Sequence, residues 1–321
     1  MKDTKTHKRD KSGNIDFLSS IEISICLNSH IFIAQNFMHV NTIFSRLNNT
    51  PINALNCDFS RIRATTLNNE SKDHRQSIFL TEYMFPELNA LVRGWCSNVK
   101  GISVVKKTYE TGDINNVIVK IPQQFLRVDG SQPMSDESIH AHFETRFTFF
   151  KTKIVPILTS IISPNLPSSS QQKTIVVIPD YFDYIRVKTY LKSLNMEYAS
   201  ICEYTVQKNV DKARHKFSLS RDDGGVSILI YTGRAHFHRR YKLRCSNLIV
   251  YQPPVVTKYS EYVNMLQSAT HGALDGGSAT LDGVCVTMYS EYDYLRMERC
   301  VGSERALRMC AGDTNAYMFF I

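Results

Sequence analysis

The residues best suited to chemistry lie in ILIYTGRAHFHRRYKLRCSNLIVY, residues 228–251. Arg234, Arg239, Arg240, Lys242 and Arg244 fall there with Phe237 and Tyr241 interleaved, and no acidic residue interrupts 232–244. The apolar run before them reads as a strand ending at Tyr231, and the basic stretch as the loop that follows it. In an open parallel sheet, loops after the carboxyl ends of strands form the ligand-facing rim, so the cations are placed to meet phosphates and the rings to stack on unpaired bases. A solvated charged loop, or one that grips an acidic protein, remains the alternative for a lone basic cluster.

Other residue sets invite chemistry and carry less. His236 and His238 in HFH, and His140 and His142 in HAH, alternate as they would on one face of an extended segment, but further metal ligands are not near in sequence. Surface or nucleic-acid contact is the reading kept for His236 and His238, and no metal is expected. Cys202 and Glu203 juxtapose a thiol and an acid with no base to activate the thiol, so Cys202 reads as packing. Asp180 and Asp183 sit at a strand-to-helix junction and read as caps. A Gly-Lys dipeptide occurs nowhere, nor do G-x-G-x-x-G, H-E-x-x-H or G-x-S-x-G, so the common phosphate-loop, dinucleotide, zinc-protease and serine-hydrolase signatures are missing. No cofactor is expected.

The elements that must hold these residues are α/β in pattern. In the second part of the chain, strand-like TIVVIPD, YASICEYT, VSILIYT, NLIVYQPP and GVCVTMYS alternate with helix-like YFDYIRVKTYLKSL, VDKARHKFSLS and KYSEYVNMLQSA. A last helix runs through Cys310 to a short apolar end. Continuous apolar strands between helices imply a parallel sheet covered on both faces, in three layers. Phe143–Ile162 reads as a helix and 163–172 as a Ser/Pro-rich loop. Earlier, strands are expected near Ile15, at Arg75–Tyr83 and at Ile102–Val105, with a helix from Pro86 to Trp95 whose tryptophan reads as core. The segments divide as a basic polar start, 1–14; a first domain, 15–112; an extended segment and polar linker, 113–142; and a second domain, 143–321.

Composition agrees with an anionic partner: the 321 residues carry 38 Lys plus Arg against 30 Asp plus Glu, a formal charge of +8. Eight scattered cysteines without C-x-x-C spacing, behind a start with no secretory leader, read as reduced thiols of cytosol or nucleus. The sequons at Asn48 and Asn69 then carry no weight. No apolar run reaches the length of a membrane span, and no membrane partner is expected.

Many phrases in order add a resemblance: DFLSSIEISI (16–25), NFMHVNTIFSRLN (36–48), DFSRIRA (58–64), PDYFDYIRVKTYLK (179–192), ICEYT (201–205), ARHKF (213–217), YTGRAHFHRRYKLR (231–244), YSEYVNML (259–266) and VGSERALRM (301–309). From about residue 15 to the end the chain resembles the digestive-organ expansion factor family, the U3 small nucleolar RNA-associated protein 25 group of helicase-like ribosome-assembly factors. The resemblance implies two RecA-like α/β domains, the first present here only as its carboxyl-terminal half. It also implies degenerate helicase motifs. The D-E-A-D position falls on Leu27, Asn28, Ser29 and His30, and the S-A-T position on Thr81, Glu82 and Tyr83. YTGRAHFHRR takes the place of T-D-x-x-x-R-G-x-D, keeping Thr232 but with Gly233 for the aspartate, and the arginine-finger position near YSEYVNML has no arginine between Gln252 and Ala269.

Phosphoryl transfer depends on a phosphate cradle, a carboxylate-held metal and a stabilising cation, so these substitutions imply a scaffold and not an enzyme. The role implied is a non-catalytic part of the small-subunit processome in the nucleolus of the nucleus, touching pre-rRNA, the U3 particle and other processome proteins. The alternative is an ATP-dependent RNA helicase whose nucleotide site lies in a missing amino-terminal part.

Overall fold

The computed structural model describes residues 16–50, 59–128, 136–162, 172–266, 283–312 and 314–320. The expected basic start and most of the Ser/Pro-rich loop lie outside them. Contacts divide the chain into two units, 1–107 and 108–321.

In the first unit β1 (Ile23–Cys26) and β2 (Gln76–Phe79) pair in parallel, Ile23 opposite Gln76 and Cys26 opposite Phe79. The unit also contains α1 (Phe37–Arg46), α2 (Ala64–Leu67), α3 (Ser71–His74) and α4 (Pro86–Trp95), of which α1 and α4 contribute to its core. The Asn36 side chain accepts from Met38 N to start α1, and Pro86 presets the first turn of α4. Phe44, Leu47, Tyr83, Phe85, Leu88 and Leu91 form the core. Buried Arg75 donates to Asn48 Oδ1 (2.8 Å) and to the Trp95 carbonyl (2.6 Å), tying β2 to the end of α4. Trp95 is 43% exposed and is not part of this core, contrary to expectation. Ile102–Val105 forms no strand: it is irregular and exposed, with β-branched residues but no strand paired to it among the described residues.

The second unit is a seven-stranded sheet in the order β5-β6-β4-β7-β8-β3-β9. Its strands are β3 (Gln123–Arg127), β4 (Thr174–Ile178), β5 (Tyr198–Ile201), β6 (Ile228–Thr232), β7 (Asn247–Val250), β8 (Cys285–Tyr289) and β9 (Ala316–Phe319). All pair in parallel except β9, which closes one edge antiparallel to β3. Alternate residues feed two cores, as a doubly covered sheet requires. Ile175, Val177, Leu229, Tyr231, Leu248 and Val250 face one; Val176, Ile178, Ile228, Ile230 and Ile249 face the other. The first face is covered by α8 (Gln207–Ser218), α9 (Gly233–Arg239), α10 (Tyr259–Val263), α11 (Tyr294–Val301) and α12 (Ser303–Ala311). The second is covered by α5 (Asp136–Phe149), a π-helical turn at Phe150–Ile154, α6 (Val155–Ile162) and α7 (Tyr181–Ser193). The three-layer α/β class is the one expected.

Local differences have local causes. The helix expected from Phe143 begins at Asp136, inside the stretch read as a polar linker. The helix expected through Cys310 is two, because Gly302 at φ 97° ends α11 in a conformation that L side chains rarely adopt. α10 spans five residues and ends at Val263, before the described part of KYSEYVNMLQSA ends at Leu266.

Candidate nucleic-acid interface

Every residue of β6 is buried, and Thr232 ends it. The Thr232 hydroxyl accepts from Ala235 N at 3.3 Å and donates to Glu203 Oε2 at 2.8 Å. A capped start followed by Arg and Ala, both good helix formers, makes 233–239 the helix α9 and not the expected loop. The chain leaves α9 at Arg240 in the left-handed region, φ 40°. Gly233 is favoured by close approach: a Cβ there would lie 3.0 Å from Tyr262 Oη and 3.3 Å from Pro179 Cα, so a side chain would need its neighbours to give way.

Helical geometry separates the two histidines of HFH, since residues two apart on a helix point about 200° apart. His236 is buried between Tyr231 and Tyr262, with ring centroids 5.6 and 5.1 Å away, and is therefore not a surface contact. Burial pushes its pKa down, against the pull of Glu261, whose Oε2 is 3.4 Å from Nε2. His238 is exposed, with the half-buried Phe237 ring 5.3 Å from it. HAH is helical as well, and His142 joins a buried cluster: its Nε2 is 3.3 Å from Arg146 Nη2 and 3.3 Å from Ser290 Oγ.

The five cations of the segment divide by partner. Arg234 Nη1 lies 3.7 Å from Glu203 Oε1, and Arg240 Nη2 lies 3.5 Å from Glu261 Oε1. Arg239 donates to Gln207 Oε1 and, at 3.3 Å, to Tyr241 Oη. The Tyr241 ring lies under Arg214 of α8, with Cζ 5.1 Å from its centroid. After α9 burial alternates: Leu243 and Cys245 are buried, Lys242 and Arg244 exposed. The exposed cations are thus Arg239, Arg240, Lys242 and Arg244, and Arg240 shares Glu261 with His236. Sequence reasoning missed Glu203, Gln207, Arg214 and Glu261, which orient the segment from α10, from α8 and from the turn after β5.

Two other expectations find their residues. Asp180 caps α7, accepting from Phe182 N at 2.7 Å. Asp183 is no cap: its carboxyl is buried and pushed up to about 6, by burial first and by Asp180 second. Cys202 packs against the core of the second face, its Sγ 3.2 Å from Thr205 Oγ1.

The first unit brings together the positions matched to D-E-A-D and S-A-T. They lie side by side at the carboxyl ends of β1 and β2: Ser29 N donates to Leu80 O (2.9 Å), Glu82 N to His30 Nδ1 (3.4 Å), and the His30 and Tyr83 rings are 5.3 Å apart. Asn28 takes the left-handed conformation at φ 51°, and Ser29 Oγ donates back to Cys26 O. An imidazole, hydroxyls and the exposed Glu82 thus occupy this corner, with no carboxylate at 27–30 itself. In the second unit the YSEYVNML segment contributes buried Tyr259 and Tyr262; Thr257 donates to Tyr262 Oη at 2.5 Å, and Arg299 of α11 donates to the carbonyls of Pro254 and Val255.

A mostly parallel seven-stranded sheet covered on both faces places the second unit in the three-layer α/β class, and the first unit pairs its two strands in parallel as well. The family described as "Utp25, C-terminal domain" matches residues 113–319, and "UTP25, NTP hydrolase-like domain" matches residues 1–103. The chain belongs to the Utp25 family. It is 33% identical over 312 residues to the U3 small nucleolar RNA-associated protein 25 homolog of Homo sapiens, covering 97% of this chain and 38% of that protein. It is 34% identical over 316 residues to U3 small nucleolar RNA-associated protein 25 of Schizosaccharomyces japonicus, covering 98% of this chain and 46% of that protein. The chain therefore spans less than half the length of these relatives. Among solved structures, the yeast DEAD-box splicing factor Prp28 overlaps 92% of this chain and 55% of its own, at 16% identity and a TM-score of 0.35.

Proposed function

We propose that the chain acts as a non-catalytic component of the small-subunit processome, in the nucleolus, supporting pre-rRNA processing by binding RNA and neighbouring proteins around the U3 particle. The observation that carries the RNA part is the exposed set Arg239, Lys242 and Arg244, flanked by His238 and Tyr241, beyond the carboxyl end of β6. Membership of the Utp25 family and the names of the relatives support the assembly role. Residue types support the absence of turnover: Leu27–His30 offers no carboxylate for a metal, Gly233 stands where the helicase pattern has an aspartate, and 253–268 holds no arginine.

Arg234, Arg240 and His236 serve a different purpose here. Arg234 and Arg240 face Glu203 and Glu261 while the His236 ring packs between Tyr231 and Tyr262, and so the three outward cations are presented on a fixed frame. Phosphate contacts of this kind set position and affinity without reading sequence. The test is the triple variant R239E/K242E/R244E. It should remain folded, lose co-sedimentation with pre-ribosomal particles, and show a salt dependence of RNA binding reduced by about 2 in log–log slope. Undiminished co-sedimentation refutes the assignment of the basic segment. RNA-stimulated ATP hydrolysis by this chain refutes the non-catalytic reading.

A further inference from the structure

The same edge of the sheet carries two exposed aromatic rings that the basic segment does not include. Phe182, in the first turn of α7, is 79% exposed, and Tyr204, in the turn after β5, is 64% exposed. Neither hangs freely. Tyr181 stacks on buried Tyr184 with centroids 5.8 Å apart and an interplanar angle of 25°. Against Tyr181 stand Tyr204, edge-on at 4.9 Å, and Phe182 at 6.4 Å. The Phe182 backbone is pinned by the Asp180 cap. One isolated exposed ring is ordinary. Two on a common, core-anchored third ring, at the carboxyl ends of β4 and β5, make a prepared surface.

Just beyond Tyr204, α8 places Lys208, Lys212 and Lys216 at i, i+4 and i+8, all exposed, in one row on its solvent side. The acids nearest in sequence are occupied. Glu203 meets Thr232 and Arg234, and Asp211 meets Gln207 (3.0 Å) and Arg214 (3.8 Å). The lysine row runs along the helix whose other side holds Arg239 and Tyr241 through Gln207 and Arg214.

We infer that Phe182 and Tyr204 are a stacking platform for unpaired bases of RNA, and that the lysine row of α8 carries the backbone of the same strand. This rests on reading the edge as an RNA surface and adds that the RNA is single-stranded there. Lysines alone would serve duplex, single strand or an acidic peptide alike. Exposed rings at the carboxyl ends of β4 and β5, Tyr204 only four residues before Lys208, fit bases that are out of a helix, because every base offers a flat face and a paired one hides it.

The test uses the full chain and a fluorescein-labelled oligo-uridylate of about 12 nucleotides, a length suited to groove-and-stacking sites. A duplex RNA of equal length and excess poly-glutamate are added in parallel arms. F182A/Y204A should weaken oligo-uridylate binding about tenfold or more while leaving the salt slope unchanged, and F182W/Y204F should restore it. K208Q/K212Q/K216Q should lower the slope by about 2. Both rings and all three lysines are exposed, so the thermal transitions should match the parent chain. Wild-type affinity in F182A/Y204A overturns the platform; if R239E/K242E/R244E loses binding in the same assay, the basic segment stands without it. Equal affinity of the parent chain for duplex overturns the single-strand assignment. Binding to neither RNA, or displacement by poly-glutamate as effective as by oligo-uridylate, overturns both readings together.

Discussion

The most demanding prediction concerns Arg146, whose guanidinium is buried where α5 meets the carboxyl ends of β7 and β8. Its Nη2 donates to Asp293 Oδ2 at 2.6 Å and to Ser290 Oγ at 2.9 Å, and Nη1 reaches the Tyr251 carbonyl at 3.4 Å. The side chains of Arg146 and Asp293 are only 2% and 5% exposed. Burial alone would push the Asp293 carboxyl up, but Arg146, Arg296 and the bonds from Arg146 and Gln252 outweigh it and bring it to about 2. A carboxyl depressed by nearly two units contributes about 2 kcal/mol, present above pH 4 and lost as pH falls toward 2. Arg146→Met removes the partner and strands the charge, for which the cost is about 3–5 kcal/mol. Arg296, 3.6 Å from Oδ1, keeps the expected value near the lower end, about 3 kcal/mol, or ~10 °C in a unit of this size. In the variant burial is left less opposed, the Asp293 pKa rises, and the penalty exists only where the carboxyl is ionised. The gap between variant and parent should therefore be widest at pH 7 and shrink toward pH 4. Adding Asp293→Asn should recover part of the loss at pH 7. The assay is urea unfolding, with hydrogen exchange of peptides from β7 and β8 reporting this unit. A loss under about 1 kcal/mol at pH 7, or one that does not change with pH, refutes the reasoning.

Other consequences follow from single residues. Asp183→Asn should stabilise the protein at pH 8 by up to about 3 kcal/mol, because a carboxyl raised to about 6 destabilises the fold once pH exceeds its unfolded value; the gain should vanish by pH 4 in parallel urea titrations. Gly302→Ala should cost about 1–3 kcal/mol in thermal melts, since φ is 97° and a Cβ would sit 3.2 Å from the Glu110 carbonyl. Gly233→Asp, which restores the residue type of the helicase pattern, should destabilise α9 against Pro179 and Tyr262 and confer no ATP hydrolysis, read by melt and phosphate release. Iodoacetamide at pH 8 should label Cys202 and Cys96 well before Cys285 and Cys300, whose thiols burial pushes up to about 12; mass spectrometry of the native protein gives the order.

What the sequence displays of this fold is set by how many layers bury each segment. TIVVI, ILIYT, NLIV and CVTMY are covered on both faces, so their apolar runs are continuous and legible without a partner in view. Ile102–Val105 has the same composition and, among the described residues, no strand to pair with, which composition does not reveal. α9 was illegible for the opposite reason. Seven residues rich in Arg and His show no apolar stripe, and the helix exists because Thr232 caps it and Gly233 fits against Tyr262. The basic residues were legible as a cluster. Their division into held and outward cations was not, because Glu203 and Glu261 are about 20 to 30 residues away and reach Arg234 and Arg240 only through the fold.

That division changes what the net charge of +8 can mean for a partner. Arg75 and Arg146 are spent inside their units, Arg299 binds two carbonyls, and Arg234 and Arg240 face acids. A cation already satisfied by protein groups gives little to a phosphate, because the gain of the new contact is offset by loss of the old one. Counterion release, and with it the salt dependence of binding, should therefore follow the outward set on α8 and at 239–244 and not the composition. Reversing Arg234 illustrates the distinction. Arg234→Glu would set a second carboxylate beside Glu203, loosen the Thr232 cap and lower the melting temperature, yet leave the salt slope of RNA binding close to the parent value. An unchanged melting temperature together with a reduced slope would show that Arg234 reaches the ligand after all.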